Sequence, residues 1–131
     1  MTKEKPTREK EIEEGKQRDI SEQAKNAGLL VPVFITATVW DAWVIPDQKS
    51  TEQGENETAR LHNILDKLVY YMRVQRQTNR SSLIYFPVPL SKEGKSEDVQ
   101  LLSHLGPLDV GVNKPCITIM TPEEYENHNI N

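Results

Sequence analysis

The sequence predicts an α+β domain of two layers: a mainly antiparallel sheet of about four strands, with one long amphipathic helix and one or two short helices packed on one face. Three observations predict it. Leu61, Ile64, Leu65, Leu68 and Met72 recur at steps of three and four, which is a single stripe along an α-helix. Runs rich in β-branched residues flank that stretch, VPVFITATV before it and PCITIM after it, as strands favour. The later strand-like runs are separated by short connections rich in glycine and proline, which suit hairpins rather than crossovers.

The chain has 131 residues, 36% of them hydrophobic, 6% aromatic and 27% charged. One domain with one core fits that length. No apolar run approaches the roughly 20 residues that span a bilayer. The start, MTKEKPTREKEIEEGKQRD, has no apolar signal region. A single cysteine cannot form an internal disulfide, so a reducing, cytoplasmic setting without membrane contact is expected.

Residues 1–18 are charged almost throughout and are read as a mobile arm, transiently helical at EKEIEEGK. The domain is assigned to 19–125 and a flexible tail to 126–131. DISEQAKNAGLL reads as a short helix with Asp19 or Ser21 as N-cap, Gly28 ending it, and Ile20, Ala24 and Ala27 inward. LVPVFITATV alternates as a strand. TVWDAWVIP either continues that strand or forms a brief helix capped by Thr36 or Thr38. Trp40 and Trp43 favour the helix, because residues three apart share a helix side but lie on opposite faces of a strand. The long helix follows, with Glu55 and Glu57 at its start and Arg73 and Arg76 at its end, as the helix dipole prefers. SSLIYFPVPL is a strand whose Pro87 and Pro89 put it at an edge of the sheet, with the prolines facing outward. VQLLSHL and PCITIM are further strands. TPEEYENHNIN is an acidic tail with room for one helical turn.

GPLDVGVNKP concentrates glycine, proline, aspartate and lysine. A phosphate-cradling loop leads from a strand into a helix; this one leads from strand to strand and lacks a Gly-Lys-Ser/Thr ending. It reads as a hairpin turn, with Asp109 and Gly111 suited to positive φ. Cys116 lies in a strand, where cysteine usually packs as a small apolar group. His104 can neighbour it across the hairpin, and a packed pair is favoured over a nucleophile and base. His62 and Asp66, four apart, have a chelating spacing but no third ligand. No catalytic residue, metal site or cofactor is therefore expected.

Residues 67–80 hold four basic and no acidic side chains, in a chain of net charge −4. Lys67, Tyr70, Arg73, Arg76 and Arg80 form the candidate binding surface. Arg73, Arg76 and Arg80 share a face if the helix runs that far. Arginine with tyrosine suits an interface; a solvated helix end is the plainer account.

With these residues laid out, the chain resembles a family of small uncharacterised bacterial proteins encoded on plasmids, phages and conjugative elements. The resemblance runs from about Asp19 to Glu124 and rests on ISEQAKNAGLLVPVFITATVWDAWV, ETARLHNIL and GPLDVGVNKPCITIMTPEE. It places Ser21, Ala24, Lys25, Ala27 and Gly28 in the entry motif, with Pro32, Val33, Val39 and Trp40 in the strand that follows. Glu57, Arg60 and Leu61 match the helix start; Thr118, Ile119, Met120 and Pro122 match the closing strand. Thr38 and Leu108 depart from the pattern. The resemblance implies an accessory role in a mobile element's biology and carries over no catalytic residue. The expected function is binding of another protein without enzymatic activity. A nucleic-acid-binding module using the basic helix face is the first alternative, and a small hydrolase or transferase built on His104, Cys116 or Asp109 the second.

Overall fold

The structure, a computed structural model, describes residues 7–76, 81–109 and 111–128. In chain order the elements are α1 (Arg8–Glu13), β1 (Gln17–Asp19), α2 (Ser21–Asn26), β2 (Val33–Thr36) and α3 (Ala37–Val39), which runs into a π-helical turn at Trp40–Val44. Then come α4 (Gln48–Glu52), α5 (Glu57–Arg76), β3 (Leu83–Lys92), β4 (Lys95–Asp109), β5 (Val112–Met120) and α6 (Pro122–His128).

The strands form one mixed sheet in the order β1-β2-β5-β4-β3. β2 and β5 run parallel and every other pair is antiparallel. The expectation of about four strands is corrected to five. The fifth is β1, three polar residues that carry no alternation and join the sheet by backbone pairing with Phe34, Ile35 and Thr36. β1 and α1 also move the ordered region back into the stretch assigned to a mobile arm, so the expected boundary at 18/19 does not coincide with an edge of the fold. The expected boundary at 125/126 falls inside α6.

Helix α5 covers one face of the sheet. Leu61, Ile64, Leu65 and Leu68 are buried against Val33, Ile35, Leu101, Ile117 and Ile119, and Met72 packs at the margin. Burying four such side chains contributes roughly 6–12 kcal/mol before chain entropy is charged. Asn56 opens the helix, its side-chain oxygen accepting from the Ala59 amide at 2.8 Å. Trp40 and Trp43 do lie in a helical segment, capped by Thr36, and pack against this core. Ile20 and Ala24 of the α2 region join it. Ile20, rather than Asp19 or Ser21, is the residue that precedes that helix; the Asp19 carboxylate accepts from the Ser21 amide, and the Ser21 hydroxyl accepts from Val33.

Helices also lie on the other face, which the expectation of one covered face left bare. Phe34, Thr36, Cys116 and Thr118 alternate with the core residues and so point away from α5. α1 reaches them through Arg8 and α6 through Glu124. Thr121 and Glu124 form a reciprocal N-terminal cap: the Glu124 amide donates to Thr121 Oγ1 and the Thr121 amide to Glu124 Oε1.

β3 is the sheet edge, as its prolines require. Leu105 N donates to Ser82 O, so antiparallel alternation turns the polar groups of 83, 85, 87, 89 and 91 outward. Pro87 and Pro89 offer no donor there. Gln75 takes the Leu83 carbonyl, Asn63 the Pro89 carbonyl and Arg60 the Ser91 carbonyl. Arg60 is 3% exposed; it also donates to Trp43 O at 2.9 Å and pairs with Glu55 at 3.1 Å. The β3–β4 turn uses Glu93 and Gly94, both at positive φ. The Asp47 carboxylate caps α4 at Ser50 and reaches the Glu93 amide in that turn. These hydrogen bonds, the Ser50 hydroxyl first, hold its pKa down at about 2.

Candidate functional site

Two regions collect polar or reactive side chains; the sequence offered the first as the candidate binding surface and the second only as the pair of His104 and Cys116. The first is the end of α5. Successive residues of an α-helix turn by about 100°. Lys67 and Arg73, six apart, therefore diverge by roughly 120° around the axis. The candidate surface divides accordingly. Lys67 lies toward the flank that overhangs the β3 edge, where Asn63 donates to Pro89 O, Arg76 lies on the other flank, and Tyr70 and Arg73 fall between them in steps of about 60°. Tyr70 is 58% exposed and stacks edge-on against Tyr71 at 5.0 Å. Lys67 is half-buried, whereas Arg73 and Arg76 are exposed. Neither arginine has an ion-pair partner among the described residues. Arg80 lies outside the described residues. One turn earlier, His62 and Asp66 pair with each other at 3.1 Å on the exposed surface. Among the described residues no three side chains gather as a metal site.

Next to Arg76 a hollow of about 320 Å³ opens, lined besides by Met72, Gln75, Ser81, Ser82, Ile84, Ser103, Leu105 and Ile117. Leu105 is 46% exposed.

The second region is a cleft of about 520 Å³ on the opposite face of the sheet, between α1 and α6. Arg8, Glu11, Gln17, His104, Thr118, Glu124 and Tyr125 line it. Register explains the meeting of His104 with Cys116. His104 pairs with Thr118 and Gly106 with Cys116, so histidine and cysteine share a face one step apart. The geometry is not that of a nucleophile and its base. Arg8 Nη2 donates to Cys116 Sγ at 3.3 Å, and the thiol donates to Pro107 O at 3.5 Å. Burial pushes the Cys116 pKa up, with Arg8 and Thr118 opposing. The thiol is held protonated and poorly nucleophilic.

The His104 ring lies over Gly106 and beside Tyr125, their ring centres 5.8 Å apart. That position accounts for the glycine, since a Cβ at 106 would come within 2.7 Å of His104 Cε1. Burial first, and the Arg8 charge second, lower the His104 pKa, which keeps the imidazole neutral. Arg8 is the centre of the region. Its guanidinium donates to Leu108 O, Gln17 Oε1 and Cys116 Sγ, and it covers the Phe34 ring at 4.3 Å. Asp109 accepts from the Arg8 amide at 2.9 Å. Its backbone is not among the positive-φ positions of the described residues, whereas Gly111 is, at φ 77°. The turn between β4 and β5 is thus shorter than the punctuation of GPLDVGVNKP suggests, with Gly106 and Pro107 paired inside β4.

Sequence reasoning gave no bonding role to Arg8, Arg60 or Glu124. Thr121-Pro-Glu-Glu124 is a readable helix-start signature and would have found Glu124. Arg60 stands in an ordinary helical position, and Arg8 in a charged stretch without periodicity, so nothing local marks either.

A family described as a family of unknown function (DUF6573) matches the chain over residues 6–125. No curated protein and no solved structure matches it. Among the described residues no helix is long and apolar enough to cross a membrane.

Proposed function

The chain belongs to the DUF6573 family, and from that premise we propose that it is a non-enzymatic accessory protein that acts by binding another protein through the end of α5. One observation carries the reading: Arg73 and Arg76 stand exposed with no ion-pair partner among the described residues, and Arg76 borders a hollow that is apolar at Met72, Ile84, Leu105 and Ile117. Exposed arginine at the edge of an apolar depression is a combination that interfaces favour. The protonated, hydrogen-bonded state of Cys116 counts against the cysteine-based enzyme alternative. The resemblance to proteins of plasmids, phages and conjugative elements supplies the setting, a cytoplasmic role serving a mobile element.

Nucleic acid is the competing partner, and salt separates the two. A phosphate-backbone binder loses affinity linearly in log salt, while an interface with an apolar centre keeps most of its affinity. The test is capture of partners from the native host by the full chain and by Arg73→Glu/Arg76→Glu. Loss of a protein partner in the variant, at a salt concentration that leaves the parent bound, is the expected result. Retention of every partner refutes the reading.

A further inference from the structure

The cleft between α1 and α6 carries a chemistry that binding through the end of α5 does not use. Its volume of about 520 Å³ falls within the roughly 300–1,000 Å³ of ligand pockets. Some of its polar groups are spent and others are not. Each nitrogen of the Arg8 guanidinium already donates, to Leu108 O, Gln17 Oε1 and Cys116 Sγ. Lys16 pairs with Glu14 at 3.6 Å. Glu124 Oε1 accepts from the Thr36 hydroxyl and from the Thr121 amide and hydroxyl. Among the described residues, Glu124 Oε2, the His104 ring nitrogens and the Tyr125 hydroxyl have no hydrogen-bond partner. All three side chains are half-buried and line the cleft.

Those free groups set the ligand's character. The charges of the lining, Arg8 and Lys16 against Glu11 and Glu124, cancel, and the cations are already engaged, so the cleft favours no ion. A carboxylate oxygen only accepts, whereas a neutral imidazole and a phenol each offer a donor and an acceptor. A ligand that satisfies all three is uncharged and carries several hydroxyls. A pair of neighbouring hydroxyls suits Glu124, because one carboxylate oxygen has two lone pairs. The Tyr125 and His104 rings, their centres 5.8 Å apart, supply flat apolar area against which a sugar ring or a base can lie. We propose that the cleft binds an uncharged ring bearing vicinal hydroxyls, either a free sugar or the ribose of a nucleoside. Glu124 Oε2 accepts from the hydroxyl pair, and Tyr125 and His104 wall the ring. The cleft lies on the face of the sheet opposite α5, so this site does not rest on protein binding at the helix end.

The test is calorimetric titration of the full chain with adenosine, methyl ribofuranoside and methyl mannopyranoside. At least one should bind at about millimolar concentration or below; adenosine alone identifies a nucleoside site, and a glycoside binding equally well a sugar site. The 2-deoxy counterpart of the compound that binds should bind about tenfold more weakly, as loss of a hydrogen bond to a charged group requires. Glu124→Gln keeps one side-chain oxygen for Thr36 and Thr121 and replaces the other by a donor, and it should weaken binding by a similar factor. One readout needs no variant: on titration the amide resonances of His104, Thr118 and Tyr125 should shift, and those of Arg73 and Arg76 should not. No binding of any of the three compounds, equal binding of the 2-deoxy compound, tighter binding of adenosine monophosphate than of adenosine, or shifts confined to residues outside the cleft overturns the proposal, as does indifference to Glu124→Gln. Arg73→Glu/Arg76→Glu should leave ligand binding unchanged. Loss of partner capture with ligand binding intact leaves both sites standing, and capture that survives that double variant refutes the protein-binding surface alone.

Discussion

On one face of the sheet the cover is a 20-residue helix whose leucines meet isoleucines and valines in a dry layer. On the other it is two helices of 6 and 7 residues, held by a guanidinium, a carboxylate, a histidine and a thiol. The first face is closed by area. Its members are interchangeable in chemistry, and each contributes in proportion to the apolar surface it hides. The second is closed by particular contacts, the hydrogen bonds of Arg8, Cys116, Thr36 and Glu124 among them, and loss of one partner there leaves the other unsatisfied. One sheet thus carries a side that tolerates repacking and a side that depends on named hydrogen bonds.

Substitutions on the two faces should separate them. Leu68→Ala, at a fully buried position, should cost about 2–5 kcal/mol, the largest single effect, seen as a fall in the urea midpoint of the whole chain. A loss below 1 kcal/mol would mean that α5 is not the principal cover. Arg8→Ala should cost about 1–2 kcal/mol and act locally. Amides of 7–19 should exchange faster while those of α5 keep their protection. Uniform loss of protection would make α1 part of the main cooperative unit and erase the contrast. Gly106→Ala drives a methyl against the His104 ring and should cost about 1 kcal/mol, with a change in the His104 and Tyr125 resonances as its signature.

Acid should resolve the regions by pH with the smallest amplitude. The folded His104 pKa is depressed below 6.5, so the unfolded chain binds the proton more readily. The second face therefore loses stability as pH falls below that value. Asp47, held at about 2 against an ordinary 3.8, contributes stability present above 3.8 and lost as pH falls toward 2. Amides around α1 and α6 should thus respond to acid before those around α4 and the β3–β4 turn. The opposite order would contradict the assignment of His104 to the buried polar contact.

Much of the first face was legible because its signals are local. The stripe from Leu61 to Met72 repeats with the helical period, the alternation in VPVFIT repeats with the strand period, and prolines 87 and 89 expose an edge through their own missing amide hydrogens. The candidate surface was legible as charge, but its geometry was not. A run of basic residues says nothing of the angle between Lys67 and Arg73 until the helix axis and its seat on the sheet are known. Nor does it disclose the hollow beside Arg76, whose lining brings together residues far apart in the chain.

By itself, then, the sequence determined an α+β domain, its long helix and that helix's buried stripe, the edge position of β3 and the surplus of positive charge near residue 76. Tertiary structure alone decided the fifth strand, the parallel pairing of β2 with β5 and the polar closure of the second face. The reason is range. Periodicity, capping and proline effects act within a few residues, whereas Arg8 meets Cys116 across 108 positions of chain. No local pattern carries that distance; strand order and register do.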